Sequence, residues 1–123
     1  MTATRLYLIL ASLFGLAGVA LLAAAAHGGS DERLRTAGEF CLFHAPAILA
    51  ATTLHRLSLL PRRLGPAAIA VLILGVVLFT GDLATRGFAG RALFPMAAPI
   101  GGSLTMLGWL LLALAGGLAP RRN

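Results

Sequence analysis

Four long apolar stretches, separated by short arginine-bearing loops, fill a chain of 123 residues. A run of about 20 apolar residues has few stable homes other than a lipid bilayer. In water such stretches would need a polar cover, yet the chain offers only ten basic residues, four acids and three histidines. With 59% hydrophobic residues, 11% charged residues and a mean hydropathy of +0.91, it reads as an all-α integral membrane protein. The expected architecture is a four-helix bundle, with one four-span domain over residues 1–123 and spans at about residues 5–26, 37–57, 66–83 and 100–118.

The first uncharged run, residues 6–26, reaches roughly 30 Å as a helix, enough to cross the hydrocarbon core. Arg5 before it and Ala24, Ala25 and Ala26 at its end imitate a signal peptide, but the run exceeds the roughly 7 to 15 residues of a signal core, so a retained span is expected. The second span crosses only if Glu39, His55 and Arg56 sit in the interfaces, with the arginine extended toward water. Pro46 inside it removes the usual donor to the Leu42 carbonyl and predicts a kink. Pro66 and Pro99 suit the first turns of spans three and four. The apolar loop from Arg86 to Pro99 is expected to lie on the membrane surface.

An even number of spans puts both termini on one side. Arg5, Arg56, Arg62, Arg63, Arg121 and Arg122 fall on that side, against Arg33, Arg35, Arg86 and Arg91 on the other, which predicts cytoplasmic termini. The net charge of +6 is spread over helix ends without the clustered stripe that would neutralise a nucleic-acid backbone, so anionic lipid is the expected partner and nucleic acid is not. Cys41 is the one cysteine, which excludes an intrachain disulfide.

Helices in lipid associate through small residues that let backbones approach. Ala11, Gly15, Gly18 and Ala25 share a narrow arc of span one, and Gly101, Thr105, Gly108 and Ala115 share one on span four. These arcs predict contacts within the bundle or between copies. Trp109, near mid-span, is expected to pack inside the bundle or against a partner.

Ionisable groups at membrane depth are costly unless paired, which makes them candidate sites. The threading brings His27, Glu39, His44 and Asp82 toward one leaflet, with His44 and Asp82 as the predicted pair. His27 and Glu39 form a more exposed shell near the amides that open span four, from Pro99 to Gly102. A His to Asp bridge would lock a small bundle and serve the carbonyl released by Pro46. Cys41 and His44 form too small a set for a metal site, haem ligation by His27 and His44 would need matched depth on two helices, and His55 reads as an interfacial anchor. No acid lies at the midplane, where carriers bind their cargo, and no catalytic motif is present. No metal, cofactor or enzymatic activity is therefore expected.

The order of motifs carries a resemblance. Ala26-His27-Gly28 closes span one, Phe40 to His44-Ala45 lies in span two, Phe79 to Leu83 closes span three, and Pro99 to Gly102 followed by Gly108-Trp109 marks span four. Over nearly its whole length the chain resembles the YgdD-like family of small four-helix membrane proteins. The resemblance implies a bacterial inner-membrane protein and recurring positions at His27, His44, Gly81, Pro99, Gly101, Gly102, Gly108 and Trp109. This chain departs by Phe40 in place of tyrosine, Asp82 in place of serine, and Pro46. The expected role is an accessory or assembly component, acting as a homo-oligomer or within a larger membrane complex. The alternative is a small transporter or ligand-binding protein using the His and Asp cluster.

Overall fold

The computed structural model describes residues 1–28 and 31–120; Arg121 and Arg122, which contribute to the orientation expected from sequence, lie outside the described residues. Four helices follow in order: α1 (Ala3–His27), α2 (Glu32–Arg56), α3 (Leu64–Ala89) and α4 (Ala97–Gly117). All four are long and apolar enough to cross a membrane. The 25 residues of α1 extend about 37 Å, more than a hydrocarbon core requires.

The helix limits follow local chemistry. The Thr2 hydroxyl accepts from the Arg5 amide at the start of α1. α2 begins five residues before the expected position 37, because the Asp31 carboxylate caps the Arg33 and Leu34 amides at 2.8 and 3.3 Å. α3 runs on past the expected end at residue 83 to Ala89, where Gly90 closes it at φ +67°. The segment from Arg86 to Pro99 is thus only partly a loop, since Arg86 to Ala89 finish α3 and Ala97 to Pro99 open α4.

Packing follows chain order. α1 lies chiefly against α2 and α3 chiefly against α4, the two antiparallel pairs meet along α2 and α3, and α1 touches α3 lightly. The central helices therefore bury more of themselves than α1 and α4 do. Ile48, Ile69, Leu72 and Val76 are fully buried between them, joined by Ala11 from α1. Tyr7 ties the terminal end of α1 to α3 by donating its hydroxyl to the Pro66 carbonyl at 3.1 Å.

Glycine sets how closely each pair can cross. A Cβ at Gly18 would lie 2.9 Å from the Gly38 carbonyl oxygen, and one at Gly38 would lie 3.0 Å from that of Gly18. In the other pair, a Cβ at Gly75 would strike the Thr105 amide nitrogen, one at Gly101 the Phe79 backbone, and one at Gly108 would sit 2.7 Å from the Leu72 Cα. Gly101, Thr105, Gly108 and Ala115 are all buried on α4. Gly15 is less constrained, because its Cβ would rest 3.9 Å from that of Ala45, an ordinary contact.

Candidate functional site

Two of the buried polar side chains, His44 and Asp82, find their hydrogen-bond partners within the described residues. The first is His44, only 7% exposed on α2. The Trp109 indole N–H donates to His44 Nε2 at 3.1 Å. An indole nitrogen can only donate, so Nε2 accepts, and the neutral ring carries its hydrogen on Nδ1. That hydrogen is donated to the Phe40 carbonyl 2.7 Å away. The rings continue the connection: Phe40 lies 4.3 Å from His44 and 4.4 Å from Phe79, centroid to centroid, linking α2 to α3. Trp109 is 47% exposed, so its ring faces outward while its N–H points into the protein.

The second centre is Asp82, on α3 and 0% exposed. One carboxylate oxygen pairs with Arg86 Nε at 2.7 Å, and the other accepts from the Leu93 amide at 2.8 Å. The Ala98 amide, in the first turn of α4, also interacts with this carboxylate. Met96 precedes α4 in a left-handed conformation, φ +67°, and supplies no side-chain cap. Asp82 takes over that role from the neighbouring helix, its negative charge held against the start of α4.

His44 and Asp82 are therefore not partners, contrary to the expected bridge. Both His44 nitrogens are occupied by Trp109 and Phe40, and both Asp82 oxygens by Arg86 and Leu93. Nor do His27 and Glu39 form a common shell with them. His27 is exposed and bonds through Nδ1 to the Ala23 carbonyl of its own helix at 2.8 Å. Glu39 pairs with Arg35 at 3.0 Å, one turn away. With Asp31, Glu32 and Arg35 it lines a recess of about 330 Å³ between α1 and α2. The amides expected to be free from Pro99 to Gly102 are not the ones Asp82 serves, which are those of Leu93 and Ala98; Pro99 has no N–H, and the Ile100 amide donates to the Met96 carbonyl at 3.0 Å.

Sequence alone singles out Trp109 and Asp82 without their partners. Arg86 is legible as the residue one helical turn after Asp82, the i, i+4 spacing at which opposite charges meet. A buried indole N–H needs an acceptor, which points from Trp109 toward the histidines. Gly75 and Gly38, which complete the two glycine crossings, lie opposite the small-residue arcs of α4 and α1. Arg33 donates to the Arg86 carbonyl at 3.2 Å and so fastens the start of α2 to the end of α3, a contact with no sequence signal.

Comparison with known proteins agrees with the membrane architecture and adds no assigned activity. No solved structure matches the chain. It is 32% identical over 114 residues to a protein named "UPF0382 membrane protein" from Haemophilus influenzae, covering 87% of this chain and 90% of that one. The family described as "Protein of unknown function (DUF423)" matches residues 21–102. With that match over most of its length and a relative so similar in extent, this four-span chain belongs to the DUF423 family of membrane proteins.

Proposed function

We propose that this chain, a YgdD-like member of its family, is a non-enzymatic accessory or assembly component of a larger complex in a bacterial inner membrane. The observation that carries this reading is the completeness of the two buried ionisable centres. Asp82 is spent on Arg86 and on the start of α4, and His44 on Trp109 and Phe40. A carrier needs groups that exchange partners as cargo passes, whereas these act as internal fasteners. What the molecule offers outward is helix surface: Leu16, Val19, Trp109 and Leu110 stand exposed on the two less buried helices, α1 and α4. We infer cytoplasmic termini from the arginine distribution. A C-terminal reporter active only outside the cytoplasm is expected to stay silent, and activity there would reverse the orientation.

The test of the accessory role is native mass spectrometry after mild extraction from the protein's own membrane at natural abundance. Co-migration with other polypeptides at fixed stoichiometry is the expected result. A lone monomer or homo-oligomer carrying a small extra mass, lost when His44 is replaced, would overturn the reading in favour of ligand binding.

A further inference from the structure

All four acids of this chain, Asp31, Glu32, Glu39 and Asp82, belong to the end where α1 meets α2 and α3 meets α4. The opposite end, where α2 passes to α3, carries Arg5, Arg56, Arg62 and Arg63 and no carboxylate side chain among the described residues. At that end lies a recess of about 380 Å³ lined by Thr4, His55, Arg56, Ser58, Leu60, Arg62 and Pro120. Neither Arg56 nor Arg62 has an ion-pair partner among the described residues, where the two salt bridges are Arg35 with Glu39 and Arg86 with Asp82.

Two further features belong to the same wall. The Nδ1 atom of His55 has no hydrogen-bond partner among the described residues and is buried against Gly65 of α3, so that only the rest of the ring is turned to the recess. Ser58 adopts φ +59°, a conformation disfavoured for a residue with a side chain, and its amide donates to the His55 carbonyl at 3.0 Å. The recess thus combines two unpaired guanidinium groups, two hydroxyls and an imidazole. A tetrahedral phosphate, with several acceptor oxygens and a charge matched by bidentate arginine, suits this donor set. Because the recess sits where α1, α2 and α3 begin or end, it lies at the depth of lipid headgroups.

We propose that this recess binds the phosphate of an anionic membrane lipid, with Arg56 and Arg62 as charge partners and Thr4, Ser58 and His55 as hydrogen-bonding groups. This differs from the general attraction of a basic surface for acidic lipid, because it depends on two arginines and not on their neighbours. Arg5 and Arg63 share the same end of the molecule but do not line the recess.

The experiment is native mass spectrometry of the purified full chain in mild detergent. It is titrated with phosphatidylglycerol, with phosphatidylcholine of the same acyl chains, and separately with inorganic phosphate. The wild type is expected to retain one phosphatidylglycerol under activation that strips phosphatidylcholine. Arg56→Gln and Arg62→Gln are each expected to weaken that binding about five-fold, as loss of one basic residue near an anionic surface does. Arg5→Gln and Arg63→Gln should leave it within about two-fold if charge alone is insufficient. All four side chains are exposed, and unchanged helicity of the variants checks that folding is intact. Equal weakening by all four substitutions, or equal retention of both lipids, would overturn the proposal. Inorganic phosphate held with the same arginine dependence, and no lipid retained, would overturn the lipid as source and leave a soluble phosphate compound as ligand.

Discussion

The Trp109 indole donates to His44 across 65 positions of sequence, joining α4 to α2, two helices that otherwise scarcely meet. Because both His44 nitrogens are engaged, nitrogen NMR of histidine-labelled protein should show a hydrogen on Nδ1 and none on Nε2. Trp109→Phe keeps an aromatic ring, though a smaller one, and removes the donor. We expect a loss of about 1 kcal/mol, typical of hydrogen bonds between membrane helices, measured by unfolding in mixed micelles. No loss would mean that the bond contributes nothing net.

Asp82→Ala should release the segment between α3 and α4. It deletes the acceptor of the Leu93 amide and the charge facing α4, for a predicted loss of about 2–3 kcal/mol. Half-exposed Arg86 can turn toward water, so the Leu93 amide bears the cost. Faster hydrogen exchange at Leu93 and Ala98, with Ile48 and Leu72 unchanged, is the signature to look for.

Alanine at Gly101 or Gly108 should be severe, at about 2–3 kcal/mol each, because a methyl group there meets the backbone of Phe79 or Leu72, which cannot move aside cheaply. Gly15→Ala should be mild. A methyl group at Gly116 would meet nothing within 4 Å, so alanine there should stabilise α4 by up to about 1 kcal/mol. Unfolding titrations of the four variants give the order directly.

Thr52 is 1% exposed, and its hydroxyl has no partner among the described residues. Thr52→Val replaces that hydroxyl with a methyl group of similar size and should raise stability by about 1 kcal/mol. A destabilised Thr52→Val variant would show that the hydroxyl is engaged within the folded bundle.

The hydrophobic blocks make the four helices legible because a bilayer leaves backbone groups no other means of satisfaction over that length. The ends are less legible. Asp31 looks like an ordinary loop acid until its carboxylate is seen on the Arg33 and Leu34 amides, and Gly81 with Asp82 looks like a terminus although the helix continues to Ala89. Of the polar cluster, His44 and Asp82 are recognisable as residues at membrane depth, but not whom they meet. Leaflet and helix are sufficient to group His44 with Asp82; rotation about the helix axes sends one to Trp109 and the other to Arg86.

The order of packing also describes how such a molecule can be built during synthesis. α1 and α2 form a helical hairpin closed by Gly18 against Gly38, and α3 and α4 form a second one closed by Gly75 against Gly101. Each hairpin completes its tightest crossing with residues already made, so neither half must wait for the other to find its shape. Trp109 emerges late and reaches back to His44, so its bond is a latch that fastens only once both hairpins have been delivered.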